Sequence, residues 1–255
     1  MKKHLFTLAF GTVLLAVVVF IASLLFSMLA YTGFPRLCGL AVSPRVVSSI
    51  RLTLGTATLS TALVILFALP SSYALSRWDL PGKRLVIGLL DLPLVMPPIA
   101  LGFALLVFFN SRWGFGWGKT FSFQVAGIVL AQFTVILAFT IRLMQSAFEG
   151  VPPRYGQVAR TLGCDAFGAF WRVDLPLARK DLGTAAILAW TRAMGEFGAT
   201  VTLAGAMIGK TDVLSVGIFL NLAEARIEDA IAITLILVLL SALSQGFIRA
   251  LGGQR

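Results

Sequence analysis

The chain has 255 residues, of which 58% are hydrophobic and only 13% charged, with a mean hydropathy of +0.92. A soluble domain carries about 25% charged residues, so the composition excludes a soluble fold and points to an integral membrane protein. The net charge of +10 comes from Lys and Arg scattered at the ends of apolar runs, which is a positive-inside bias and not the clustered basic stripe of a nucleic-acid binder.

A membrane-crossing helix needs about 20 mostly apolar residues. Six stretches qualify, at roughly 5–30, 52–76, 85–109, 123–147, 183–206 and 227–248. Such long continuous runs exclude a transmembrane β-barrel, whose strands alternate polar and apolar residues. The first run follows Lys2 and Lys3 like a signal peptide. It is too long for a signal core and no small-residue cleavage site follows, so it is expected to be a retained span. Thirteen Lys and Arg then fall inside (Lys2, Lys3, Arg77, Lys83, Arg84, Arg142, Arg154, Arg160, Arg172, Arg179, Lys180, Arg249 and Arg255). Seven fall outside (Arg36, Arg45, Arg51, Arg112, Lys119, Lys210 and Arg226). This balance predicts a multi-pass protein with both termini in the cytoplasm. Cys38 and Cys164 fall on opposite sides and cannot pair. His4 is the single histidine and lies in a terminal tail, so no histidine-based metal site is expected.

The second run carries Pro70, and the third is crowded by Asp91, Pro93, Pro97 and Pro98. Proline removes a helix donor and kinks the helix. The carbonyls freed at such a break are tolerated only against protein or a watery cavity. The third span is therefore either a pathway wall or simply kinked by packing, and both readings stay open.

Residues 148–181 form the one long polar interval, with five basic groups (Arg154, Arg160, Arg172, Arg179, Lys180) and four acidic ones (Glu149, Asp165, Asp174, Asp181). Pro152 and Pro153 favour a helix start, giving a short helix over 154–162. Gly163 suits the left-handed cap that stops it. Asp165 caps a second arm running to about 172, which Pro176 should end. Val158, Ala159, Leu162, Phe167, Phe170 and Trp171 would line its apolar face. Helices this short are marginal alone, so the elbow must pack on the membrane domain, on a separate protein, or on itself.

This elbow resembles the EAA loop of ABC-importer permeases, roughly E-A-A-x3-G-x9-I-x-L-P. Gln157 stands for the Glu and Val158-Ala159 for the alanines; Gly163 matches the glycine, Val173 the aliphatic residue and Leu175-Pro176 the terminal pair. Gln157 and Val158 depart from the pattern. The resemblance implies a coupling helix over about 157–168 that docks on a cytoplasmic ATPase subunit. On that basis Gln157, Ala159, Leu162, Gly163, Asp165, Leu175 and Pro176 are its expected coupling residues.

In the fifth run, Arg192 and Glu196 are four residues apart and share a helix face. Charges at membrane depth normally face the bundle interior, a partner or water. The pair is either a structural clamp on a glycine-broken span (Gly195, Gly198) or a border of the pathway. Thr191–Thr200, then Ala204-Gly205 and Gly209-Lys-Thr211, is similar to the A-R-x-L-G-E-F-G-A-T…G…G-x-T run of molybdate permeases, with sulfate permeases carrying a close relative of it. This resemblance spans nearly the whole chain. It implies an all-α integral membrane protein of six transmembrane helices in the type I, MetI-like, ABC-importer permease fold, moving molybdate or alternatively tungstate or sulfate. Asp91, Pro97, Arg192, Glu196 and Thr200 become the candidate pathway or gate residues. No catalytic residue, metal or cofactor is expected.

Ala204–Thr211 also fits a loose Walker A pattern. A phosphate loop joins a strand to a helix, whereas a membrane helix precedes this one and its opening glycine is Ala204. The segment is expected instead to be an outer loop that meets a substrate-delivery protein through Lys210, Asp212, Asn221 and Glu224. The partners that follow are a second copy forming a homodimer around the pathway, a cytoplasmic ABC ATPase pair, an extracytoplasmic oxyanion-binding protein, and lipid; nucleic acid is not among them. An autonomous secondary transporter is the alternative, and it would need coupling-ion carboxylates at mid-membrane. Asp91 and Glu196 are the available candidates.

Overall fold

The computed structural model describes residues 2–251, with side chains from 6 to 246. The side chains of Lys2, Lys3, His4 and Arg249, and the whole of Arg255, lie outside the described set. The described residues are almost entirely helical, with no strand.

Helix α1 (Lys2–Thr32) leads through the short α2 (Phe34–Ala41) to α3 (Pro44–Arg77). Ser43 starts α3 by accepting a hydrogen bond from the Val46 amide, with Pro44 in the first turn, where its missing N–H costs nothing. Helices α4 (Lys83–Val95) and α5 (Pro98–Asn110) meet at a bend of 109°. A 3-10 turn (Arg112–Gly114) and α6 (Gly118–Phe121) lead to α7 (Val125–Glu149). The elbow comprises α8 (Arg154–Thr161), α9 (Ala166–Ala169) and a π-helical turn (Phe170–Asp174) that runs directly into α10 (Leu175–Met194). Then follow α11 (Gly198–Ala204), α12 (Leu214–Ala223) and α13 (Ile227–Leu251).

The core lies where α3, α7 and α10 pack together. Ala57, Val64, Ala68, Ile136, Met144, Phe148, Ala178, Ala185 and Ala189 fill it. Small residues let the backbones approach in the absence of a strong hydrophobic drive within lipid. The hydroxyls on the buried face of α3 are largely satisfied by their own helix, as with Thr53 on the Ser49 carbonyl (2.7 Å). Ser60 instead crosses to α7, donating to Gln132 Oε1 at 2.9 Å. Helix α1 sits apart, touching α13 and α2 and presenting over Phe6–Thr32 a strongly apolar surface that is left uncovered among the described residues.

Among the described residues, four helices are long and apolar enough to cross a membrane: Phe6–Thr32, Pro44–Arg77, Val125–Glu149 and Ile227–Gly246. The α4–α5 pair makes a fifth if the bent pair is one span. The expected third and fifth spans are thus not continuous helices. Pro97 and Pro98 break the third. The fifth is split at residues 195–197 between α10 and α11, and its first part carries Arg179, Lys180, Asp181 and Arg192.

Two further expectations are corrected. Residues 205–213 do form a loop between α11 and α12, but α12 then folds back and buries Leu214, Ser215, Val216, Gly217 and Asn221, so Asn221 does not lie on an exposed loop. At ten residues, α12 is too short to register as a span. Pro176 does not end the second arm; it lies in the first turn of α10. The widened π turn places the Leu175 amide on the Phe170 carbonyl, so the chain passes from the elbow into α10 without requiring a donor from proline.

Candidate functional site

Two regions gather the residues singled out by sequence. The first is the elbow. Helix α8 closes with the Cys164 amide on the Ala159 carbonyl (3.0 Å) and the Gly163 amide on the Arg160 carbonyl (3.1 Å), the paired bonds of a Schellman cap. Gly163 has φ +95°, and a Cβ there would meet no neighbour. Its glycine is therefore a matter of backbone conformation and not of space. Asp165 then accepts from the Gly168 amide at 2.8 Å, starting α9.

The root of the elbow is fixed by a residue that sequence reasoning passed over. Asp174 is 3% exposed. It accepts from Tyr73 Oη at 2.8 Å and from Arg77 Nη2 at 3.3 Å, and the same guanidinium nitrogen donates to the Val151 carbonyl at 2.8 Å. Tyr73 also stacks edge-on against Phe148 and Phe170, at 5.2 and 4.7 Å between centroids. Elbow and α3 are thereby tied by a buried charge pair and an aromatic cluster. The available signal was a lone acid just before Leu175-Pro176 and an arginine at the end of the second span.

Away from this root the elbow is bare. Val158, Leu162, Phe167 and Trp171 are 55%, 81%, 70% and 49% exposed. The expected apolar face therefore divides: Ala159 and Phe170 turn inward and the other four outward. Gln157, Leu162, Gly163, Asp165 and Pro176 are exposed, Ala159 is buried, and Leu175 packs on the main core. A cleft of about 520 Å³ separates elbow from α3, with Arg77, Trp78, Arg160 and Phe167 among its walls.

The second region is the crossing of the two broken helices. A Cβ on Gly198 would lie 3.0 Å from the Ile99 amide and from Pro98 Cβ, and one on Gly102 would lie 2.6 Å from the Ala199 Cα. The α4–α5 break at Pro97 therefore abuts the α10–α11 break. Glu196, 1% exposed, bridges the latter: Oε2 accepts from Arg192 Nη1 at 2.9 Å and Oε1 from the Ala199 amide at 3.0 Å. Its carbonyl accepts from Ser215 Oγ at 2.7 Å, bringing in α12. The polar groups exposed by the break are thus satisfied inside the protein. Thr200 is fully buried there, and its Oγ1 has no hydrogen-bond partner.

Asp91 belongs to neither region. Its carboxylate pairs with both Nε (2.8 Å) and Nη2 of Arg142, joining α4 to α7. The Walker-like loop forms no phosphate cradle. Thr211 is buried, accepts from the Met207 amide at 3.0 Å and donates to the Gly205 carbonyl at 3.2 Å, so its hydroxyl is spent on the loop. Among the described residues no group of three or more His, Cys, Asp or Glu could hold a metal ion.

Residues 76–253 match the model of the binding-protein-dependent transport system inner membrane component family. The chain belongs to this family. The molybdenum transport system permease protein ModB of Mycobacterium tuberculosis is 34% identical over 237 residues, covering 90% of this chain and 88% of that relative. The sulfate transport system permease protein CysT of Escherichia coli is 32% identical over 246 residues, covering 93% and 89%. Among solved structures, the fold is similar to a chain of a bacterial alginate ABC transporter in complex with a periplasmic protein carrying an alginate pentasaccharide. That match has a TM-score of 0.73 at 18% identity and covers 95% of this chain and 93% of that one. The chain is thus a multi-pass membrane permease subunit of an ABC importer, with the MetI-like type I fold.

Proposed function

We propose that this permease serves an ATP-driven molybdate importer in the cell (inner) membrane. It acts as a homodimer with both termini in the cytoplasm. A separate ATPase pair docks on the elbows and an extracytoplasmic oxyanion-binding protein docks on the opposite face. The observation that carries the reading is the elbow itself: four large apolar side chains held in water by a buried Asp174–Arg77–Tyr73 anchor. An exposed apolar patch on a firmly rooted element is what a docking partner requires. ATP-driven closure of the ATPases would draw the elbows together, and the anchor would pass that motion to α3 and α10. The broken-helix crossing, with Glu196 spanning three helices, is the element that would shift as the pathway changes sides.

The Glu196-Phe-Gly-Ala-Thr200 run supports molybdate, while relatives named for molybdate and for sulfate are nearly equally identical to the chain and do not choose between the anions. The secondary-transporter alternative loses its footing because both candidate carboxylates, Asp91 and Glu196, are committed to arginines. Purification of the permease with its ATPase, followed by competition of molybdate, tungstate and sulfate for uptake into proteoliposomes, tests the proposal. Uptake without any ATPase would sink it, and sulfate outcompeting molybdate would reassign the substrate.

A further inference from the structure

Arg36, Arg45, Arg226, Asp212 and Asp229 gather at the end of the molecule opposite the elbow, around the starts of α3, α12 and α13. Asp229 is occupied, accepting from Arg36 at 2.9 Å. Asp212 is not. It is 3% exposed, accepts no hydrogen bond among the described residues, and has one countercharge, Arg45 Nε at 3.9 Å. That distance is beyond hydrogen-bonding reach, and the Arg45 side chain is 37% exposed. Asp212 lines a partly open pocket of about 230 Å³. Asn221, 5% exposed, lines the same pocket. Its Nδ2 donates to the Gly217 carbonyl at 2.8 Å, and among the described residues no group donates to its Oδ1. Val46, Leu214 and Ile233 supply apolar wall.

A buried carboxylate normally carries hydrogen bonds or a close countercharge, because its desolvation is otherwise uncompensated. Here the acceptors of two largely buried residues open into one small cavity, and no group among the described residues donates to them. We propose that the pocket receives a basic side chain, a lysine ammonium or arginine guanidinium, carried by the extracytoplasmic binding protein. Asp212 and Asp229 balance Arg45 and Arg226 in the lining, so the pocket carries no net positive charge to draw an anion. A hard metal ion wants six or more oxygens, and the described residues offer no such group. A long basic side chain brings several donors for the acceptors and an aliphatic stem for the apolar wall. Arg45 is then a loosely held incumbent that the incoming cation displaces, coupling docking to the start of α3. This inference rests on the importer reading and orientation proposed above.

The test is the affinity of the loaded binding protein for the permease–ATPase complex in nanodiscs, for wild type, Asp212→Asn and Arg45→Gln, with assembly checked by size exclusion. Asp212→Asn is expected to weaken binding at least tenfold. Arg45→Gln, which removes the competitor, is expected to leave it unchanged or tighten it. Unchanged binding by Asp212→Asn overturns the proposal, as does equal weakening by both variants, since the pair would then be only a structural pin. Should Asp212→Asn fail to assemble, Asn221→Asp decides: a second carboxylate in the pocket should tighten binding severalfold, and no tightening overturns the proposal. A wild-type complex that binds no binding protein refutes the importer reading itself.

Discussion

Asp174 shows how much a single acid can organise. Its side chain is 4% exposed and faces an Arg77 side chain that is 10% exposed, and Tyr73 completes its hydrogen bonding. Removing one partner of a buried pair strands the other, at a cost of about 3–5 kcal/mol. Asp174→Ala should therefore lower the thermal midpoint of the detergent-solubilised protein sharply, whereas Leu162→Ala, on the exposed crest, should barely move it; equal midpoints for the two would remove the anchor. Gly163 has a different physics. At φ +95° with open space around it, any side chain pays the left-handed penalty of about 1–2 kcal/mol. Asn tolerates that region better than valine does, so Gly163→Asn should retain more ATPase binding than Gly163→Val. The reverse order would mean that space and not backbone conformation governs the position.

At the scale of elements, the crossing of α5 and α11 is set by glycine. A Cβ at Gly102 would fall 1.9 Å from Thr202 Oγ1 and 2.6 Å from the Ala199 Cα and carbonyl oxygen. The hydroxyl could move but the backbone could not without separating the helices. Gly102→Ala should thus lose stability and transport, and Thr202→Ala should fail to restore them; rescue by that second change would show the side chain to be the obstacle. Glu196 belongs to this scale as well, because one carboxylate holds α10 to α11 and its carbonyl holds α12. Arg192→Ala leaves the Ala199 and Ser215 bonds in place. It nevertheless strands Glu196, 1% exposed, without its countercharge and should lower the thermal midpoint, so transport per assembled complex, compared with Arg192→Lys, separates a pathway role from a clamp.

For the whole molecule, two of the apolar surfaces left uncovered among the described residues bear on assembly. The elbow crest is one, and Leu162→Asp should release the ATPase from the purified complex while the permease still inserts; retained ATPase at wild-type stoichiometry would move the docking site elsewhere. Helix α1 is the other, apolar throughout and barely packed on its own chain. Lipid and a second copy are the surroundings that suit it in the proposed homodimer. The structure also supports one feature of the charge reading in relative terms: Arg77 and the elbow share one end of the molecule, while Arg36, Arg45 and Arg226 share the other.

The sequence by itself determined the class of protein, the long apolar helices, the elbow with its Gly163 stop and Asp165 cap, and the proximity of Arg192 and Glu196. Each depends on local rules, such as runs of apolar residues, capping chemistry, or i,i+4 geometry. The prolines and glycines marked breaks in the third and fifth spans, but the angle at Pro97, the meeting of the two breaks, the fold-back of α12, and the partners of Asp91, Asp174 and Asp212 were decided only by the tertiary structure. These depend on which helices come to lie side by side, and residues distant in the chain, such as Asp174 with Tyr73 or Gly102 with Ala199, carry no local mark of their meeting. The π turn before Pro176 belongs with them, since proline at that point is compatible with a helix that ends and with one that begins. Packing of α10 against α3 and α7 selected the second.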